Sequence, residues 1–546
     1  MTTATAERQA ARDAPALRTS GRLRRPSPYL VVGGLFWLVM SVAYWRVPMC
    51  CDFGQHAAVV ERLKANLLHP AHPMADLPGA GSPYYSPYAV LQAVFARATG
   101  LAGRVVVKLA GPVNLLVLLV GVGRFVRVLT PRPWAPVAAL GAMVLLWGTH
   151  PAWWSGYLGL LSMTGNLAYP STFAIGLAFL AWAWAGSLAA RPTAGSLWRY
   201  AGLGALCGLI LLIHPITAVG AVTGVVAFAV TGVGAFASPC RGPWPSRSLE
   251  WRVPCGWAVT AVAAAAVAAS WPYFGVFSLI GDHSVDAIHQ RLYAQIPGKF
   301  WLAGIGLPAL WLRWRRNHRD PLVLMFVLEC AVVAYGWVSG HFTYGRILGL
   351  TLVPPQFALA VEVAAPRPWP RWRRGLASVA AVGACVGFLS VQAGAVVPRS
   401  LDPVGLRHPP SWPTYEWAAR HIAPGDVVLT NGYRAVRSLP AYGPNLVAPA
   451  WPDPALDERE RDRRRAAVRA YLAPTSTHAE RTAIVRRYHV RWLLLGEGQR
   501  VPGEAVVVAR NARTGEVLAR VDGDGSPYST YSTTSSTGML PRVALE

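Results

Sequence analysis

Apolar runs long enough to cross a lipid bilayer recur from residue 29 to residue 397 and then stop. A hydrocarbon core of about 30 Å takes roughly 17 to 25 apolar residues per helix, and a helix satisfies its own backbone groups where no water can. Spans are expected at 29–46, 105–123, 133–149, 167–187, 200–214, 216–236, 254–277, 300–312, 321–339, 344–364 and 375–397. Of the 546 residues, 53% are hydrophobic and 14% charged, against about 25% charged in ordinary soluble domains. This composition argues against a water-soluble enzyme of this length. The expected fold is a polytopic α-helical membrane protein of about eleven transmembrane helices over 29–397, followed by a C-terminal extracytoplasmic α/β domain.

The net charge of +25 would suggest nucleic acid if its placement were ignored. Arginine supplies nearly all of the cations; the lysines are Lys64, Lys108 and Lys299. Many arginines fall in every second loop: Arg124, Arg127 and Arg132, then Arg191 and Arg199, then Arg241, Arg247 and Arg252, then Arg313 to Arg319, then Arg367 to Arg374. Basic loops favour the cytoplasm. The polar, Arg-rich residues 1–28 are then a cytoplasmic tail, with no small-residue cleavage site after the first apolar run. The C-terminal domain lies outside. The charge marks membrane topology, and no nucleic-acid partner is expected.

The same rule settles 86–103, which is apolar enough to span; counting it as a span would turn the later arginine loops outward. It is expected to lie along the outer membrane surface with Arg97 at the headgroups. The first outer loop is then long, 47–104, and FGQHAAVVERLKANLL (53–68) adds a second interfacial helix, with Phe53, Val60, Leu63 and Leu67 on one face. After residue 398, DVVLT (426–430), RWLLL (491–495) and EAVVVA (504–509) read as strands between helical patterns at 413–422 and 456–472. The α/β domain is assigned to 398–522. DERERDRRR (457–465) reads as a solvated helix face, and residues 523–546 as a flexible tail.

Chemistry-bearing residues gather in the outer loops. Asp52 stands just past the first span, in CCDFGQH, with His56 four residues on and so on the same helical face. Asp52 also suits a plain helix cap. The loop GDHSVDAIHQRLYAQIPGK holds Asp282, His283, Asp286, His289, Arg291 and Lys299, and GHFTYGR holds His341, Tyr344 and Arg346. Tyr84 and Tyr85, with His69, His72 and Asp76, belong to the first loop; His150 and His214 each precede Pro at a span end and suit helix termination. Several cations with few acids suit a phosphate-bearing ligand. Asp282, His283 and Asp286 could hold a divalent cation, but their spacing fits no recognised metal motif. The cysteines show neither metal spacing nor a disulfide framework. Glu329, inside a span, is a functional candidate by its cost there.

A multi-span N-terminal part, a long first outer loop with two helices, an Asp directly after the first span and an exported α/β domain together resemble the GT-C superfamily of integral-membrane glycosyltransferases. The likeness covers nearly the whole chain, and TYEWAARHIAPGDVVLTNGYRAVRSLPAYG (414–443) resembles the start of the soluble domain in bacterial members. The resemblance implies an inverting transfer of a sugar from a polyprenyl-phosphate donor to a glycan or lipid acceptor at the outer face. It implies that Asp52 is the general base. Asp52 is followed by Phe53 and Gly54 instead of a second acid, so no cofactor is expected. From charge and topology, Arg291, Lys299 and Arg346 are candidates for the departing phosphate, and His56, Tyr84, Tyr85, Asp282, His283, His341 and Tyr344 for substrate contacts. A transporter or lipid flippase, and a glycan-binding scaffold, remain open alternatives.

Overall fold

A computed structural model describes residues 26–77, 81–190, 197–236, 247–450, 456 and 458–521. The basic tail before residue 26, Arg191, Arg241 and the C-terminal tail 523–546 lie outside the described residues. The first helix, α1 (Pro28–Trp45), opens as its sequence dictates. Pro28 takes the first turn, where its missing N–H costs nothing, and the Ser27 hydroxyl accepts from the Leu30 N–H. One side of α1 leaves Leu30, Leu35 and Leu38 more than half exposed, which is stable only where the solvent is lipid.

Two helices fill the first loop, α2 (Phe53–Ala65) and α3 (Pro87–Thr99). The chain then runs through α4 (Gly103–Leu129), α5 (Ala135–Leu145), α6 (Leu160–Asn166), α7 (Pro170–Ala190), α8 (Leu197–Ile213), α9 (Pro215–Phe236) and α10 (Arg247–Ala269). Next come α11 (Leu307–Arg316), α12 (Pro321–Ser339), α13 (Val353–Val363) and α14 (Arg371–Gly387). Among the described residues, six helical segments are long and apolar enough to cross a membrane, and each of the eleven expected runs is helical over at least part of its length. The protein is a multi-pass membrane protein. Glycines let helices meet closely: a Cβ on Gly121 of α4 would lie 2.6 Å from the Gly176 carbonyl of α7.

Two expected spans are interrupted for a reason that bears on the site. The run 133–149 is helical only to Leu145, after which residues 146–159 leave the helix. The run 344–364 begins as a 3₁₀ turn, Phe342–Ile347, before α13. The freed Leu146 carbonyl accepts from Gln356 Nε2 at 2.8 Å. Irregular backbone at such a depth is tolerated where it lines a cavity.

The arginine loops meet at one end of the bundle. Glu362, 2% exposed, pairs with Arg316 and with Arg373 at 2.9 Å, and Arg132 donates to the neighbouring Val361 carbonyl. Arg313 pairs with Asp320, which caps α12 through the Leu322 N–H. A 19-residue helix is about 28 Å long, so α12 carries the chain from this end to His341 at the other.

The C-terminal part forms a five-stranded sheet in the order β2-β1-β3-β5-β4, made of β1 (Val427–Leu429), β2 (Asn445–Leu446), β3 (Val490–Leu495), β4 (Ala505–Arg510) and β5 (Val517–Val521). β1 pairs parallel with β2 and β3; β5 is antiparallel to β3 and β4. Helices α15 (Glu458–Leu472) and α16 (His478–Tyr488) pack with it, the latter opened by a Thr477/Glu480 capping box. The solvated-face reading of 457–465 needs one correction. Arg464 is 6% exposed, donates to the Val447 carbonyl and covers the Tyr488 ring, because its long stem reaches the sheet edge.

The sheet docks on the first loop. The Leu446 N–H donates to the Met74 carbonyl at 2.7 Å, Arg62 reaches Asn445, and His489 meets Asp76 at 3.2 Å. This changes the reading of α2. Its Ala57 to Val60 are at most 2% exposed, so the helix is sandwiched between bundle and sheet instead of floating on lipid. The charges expected to face water tie helix ends: Glu61 accepts from the Gly103 N–H, and Lys64 donates to the Gly100 and Leu101 carbonyls. In contrast, α3 exposes Leu91, Val94, Phe95 and Arg97 along one side, as a membrane-surface helix does.

Candidate active site

A cavity of about 490 Å³ opens between the end of the helical bundle and the C-terminal sheet. Its walls come from the start of α2, the loop before α6, the α8–α9 junction, residues 279–291, residues 343–346 and residues 433–437.

Asp52 stands at the first turn of α2 on this cavity. Its backbone is at φ −92°, ψ 7° and its side chain makes no cap hydrogen bond, so the capping role is not what holds the carboxylate there. The backbone N–H of Asp52 donates to the Tyr169 hydroxyl, which donates to the Cys50 carbonyl at 2.9 Å. One turn on, His56 lines the same cavity, its ring 5.9 Å from Tyr84 and 5.3 Å from Tyr169. Burial among these rings pushes the His56 imidazole down to about 4, so it is neutral.

Arg437 enters from the C-terminal domain. It is 8% exposed, lies over the Tyr433 ring at 4.0 Å, and brings Nε to 4.0 Å from Asp52 Oδ1. Gly54 makes the approach possible: a Cβ there would sit 2.2 Å from the Arg437 carbonyl.

Arg346 faces the cavity from the 3₁₀ turn. It donates to the Ser155 hydroxyl at 2.7 Å and lies 3.1 Å from His214 Nε2. On the other side of the ring, His214 Nδ1 accepts from the Thr217 N–H at 3.2 Å and lies 2.8 Å from the Thr217 hydroxyl. Arg346 also shares the electrostatic field of Asp52 and Tyr84.

His289 is oriented by a chain of hydrogen bonds. Asp286 accepts at Oδ1 from the Thr343 hydroxyl at 2.7 Å. That hydroxyl therefore accepts from His289 Nδ1–H at 2.9 Å, leaving Nε2 as the acceptor nitrogen. Burial, helped by the Arg346 charge, lowers the imidazole to about 3.

Of the residues singled out in the sequence, Asp52, His56, Tyr84, His214, Asp282, His289, Arg291 and Arg346 are brought to one cavity. The others fall elsewhere. Lys299 folds back onto its own loop, donating to the Arg291 and Ala294 carbonyls. Tyr85 is 1% exposed and donates to the Ala71 carbonyl. Tyr344 packs against Tyr335 and His341. His283 and His341 stack on each other beside the cavity and do not line it. His72 accepts from the Met74 and Ala75 N–H groups, and His150 lies against Gly298. Glu329 is fully buried beside Thr223 and does not line the cavity.

Sequence reasoning missed Tyr169, Ser155, Thr343, Trp153, Trp154 and Arg437, and read His214 only as a terminator. Arg437 lies inside the segment 414–443 whose likeness pointed to the soluble domain, so a signal existed for it. The rest carry no local signature.

No family model matches the chain, and neither does any curated protein. The fold does have solved counterparts. It is similar to ArnT from Cupriavidus metallidurans bound to undecaprenyl phosphate, with TM-score 0.50 and 15% identity over 90% of this chain and 98% of that one. ArnT in the apo state gives TM-score 0.51 and 14% identity over 91% and 98%. A looser likeness, TM-score 0.36 and 13% identity over 90% and 47%, is to the arabinosyltransferase EmbB from Mycobacterium smegmatis. With its spans, its long first loop and its C-terminal sheet in this order, the chain has the fold of ArnT from Cupriavidus metallidurans.

Proposed function

We propose that this protein is a membrane glycosyltransferase that moves a sugar from a polyprenyl-phosphate donor to a hydroxyl of a glycan or lipid acceptor at the outer face of the membrane. The observation that carries the reading is one cavity holding the Asp52 carboxylate together with three guanidinium groups, Arg291, Arg346 and Arg437, at the sheet-bearing end of a bundle with this fold. That ArnT has been solved with undecaprenyl phosphate supports the donor class. The arginine loops gathered at the opposite end support the orientation.

The chemistry follows from charge. Asp52 takes the proton of the acceptor hydroxyl as its oxygen bonds to the anomeric carbon. The bond from that carbon to the phosphate oxygen breaks on the opposite side, inverting the configuration. The lipid phosphate leaves with one more negative charge, which the guanidinium groups stabilise where it develops. His56 and Tyr84 flank Asp52 and contact the acceptor, and Trp153 and Trp154 offer flat apolar faces for a sugar ring.

The test incubates purified protein with polyprenyl-phosphate sugars and follows released lipid phosphate. Asp52→Asn is expected to lower transfer by about 10² to 10⁴ while membrane insertion is unchanged. Full activity in this variant would sink the base assignment.

A further inference from the structure

Two nucleophilic side chains beside the cavity have no part in the transfer chemistry. Cys50 and Cys51 are neighbours in the chain, and their sulfurs lie 3.2 Å apart. Cys51 is half-buried and lines the cavity next to Asp52, while Cys50 behind it is 3% exposed. Cys51 holds φ at +57°, in the left-handed region that favours glycine. A residue with a side chain takes that conformation at a cost, and here it goes with a sulfur turned onto its neighbour.

The backbone around the pair has little slack. The Tyr169 hydroxyl donates to the Cys50 carbonyl at 2.9 Å and accepts from the Asp52 N–H at 3.2 Å, so one side chain grips the chain on both sides of Cys51. Any change in the geometry of the two cysteines is therefore passed to Asp52.

We propose that Cys50 and Cys51 are a dithiol that closes reversibly into a vicinal disulfide, oxidised by thiol–disulfide exchange at the outer face, and that closure switches the Asp52 site off. The switch rests on the transferase reading, whereas the disulfide rests on the two cysteines. Cys51 begins the exchange because the cavity reaches its sulfur; contact with Cys51 and burial hold Cys50 protonated, its pKa raised far above the usual thiol range. The Cys51 thiolate attacks the oxidant's S–S bond, forms a mixed disulfide and expels one thiolate. Cys50 then gives up its proton and attacks the Cys51 sulfur, expelling the second thiolate. Two cysteine thiols become one disulfide, the oxidant's disulfide becomes two thiols, and two protons pass with the two electrons.

Closure brings the sulfurs to about 2.05 Å from the present 3.2 Å. The peptide planes between Cys50 and Asp52 turn with them and carry the carboxylate away from Arg437. Adjacent Cα atoms stand only about 3.8 Å apart, short of the roughly 4.4 to 6.8 Å of ordinary disulfides. The bond is thus strained and readily reduced, as a reversible switch requires.

The test uses purified full-length protein and oxidised glutathione as the oxidant. Remaining thiols are blocked with iodoacetamide, and the tryptic peptide 47–62, which holds both cysteines and no others, is weighed without reduction. It is expected to be unalkylated and lighter by two hydrogens than the dithiol, and to take two alkyl groups after dithiothreitol. Transfer is expected to be lost on oxidation and restored by dithiothreitol, and to be insensitive to oxidised glutathione in Cys50→Ala. A peptide that carries two alkyl groups after oxidation, or keeps glutathione on Cys51, overturns the disulfide. A disulfide formed with transfer unchanged overturns the switch. Transfer absent from oxidised and reduced protein alike would count against the transferase reading, and the peptide mass would still decide the disulfide.

Discussion

Asp52 is separated from an ordinary capping residue by its geometry. A capping carboxylate accepts from its own helix, whereas this one makes no such bond and faces Arg437 from a segment nearly four hundred residues away in the chain. At 4.0 Å and with Asp52 34% exposed, that pair adds little stability. Its value lies in placing a cation beside the carboxylate. Arg437→Gln is therefore expected to lower kcat/KM by about 10- to 100-fold with little change in thermal midpoint. A wild-type kcat/KM would remove Arg437 from the reaction.

His289 sets a pH dependence of stability. Its imidazole titrates near 6.5 in the unfolded chain and at about 3 in the fold. Between those values the unfolded state binds one more proton than the folded state. Stability is thus fully present above pH 6.5 and declines as pH falls, by up to about 1.4 kcal/mol per unit. The thermal midpoint of the wild type should drop further between pH 7 and pH 5 than that of His289→Asn. Equal drops would mean that His289 is not held neutral.

At the scale of elements, α2 does the joining. Its first turn carries Asp52 and His56, its buried residues pack on both sides, and Gly54 lets residues 437 and 438 approach its backbone. A side chain at Gly54 has no room, because the atoms it meets are backbone. Gly54→Val is expected to displace residues 433–438 and abolish transfer, with the bundle intact. Raised protease sensitivity in the C-terminal domain, with unchanged detergent-extracted yield, would report it.

The opposite end offers a control. Glu362→Ala leaves Arg373, 21% exposed at its side chain, without its carboxylate. The thermal midpoint should fall while kcat and KM stay at wild-type values in folded protein. A change in KM would show that this end communicates with the cavity.

Across the whole molecule, the spans, both first-loop helices and three strands of the sheet were legible because each is a local signal: an apolar run, a helical spacing, a β-branched stretch. Asp52 and His56 were legible for the same reason, since four residues along a helix make one turn. Arg346, Arg291 and Lys299 looked alike from charge and topology, and only folding separates them. The lysine finds carbonyl partners in its own loop before it can reach the cavity. Arg437, Tyr169 and Thr343 were out of reach because their roles depend on contacts between distant segments. Orientation is testable at this scale as well. A cysteine placed at Ser284 should react with an impermeant maleimide from outside intact cells, and one placed at Arg315 only after permeabilisation; the reverse pattern would invert the topology.

That the C-terminal domain lends Tyr433 and Arg437 to a cavity otherwise walled by the bundle and the first loop has a consequence for inheritance. The C-terminal domain is not expected to recombine between relatives as a neutral cap, because a graft replaces a charged group beside the Asp52 carboxylate. Chimaeras cut near residue 398 should lose transfer unless segment 433–438 and the turn at 52–56 come from the same parent. Among natural relatives, these two stretches should vary together, although about 380 residues separate them in the chain.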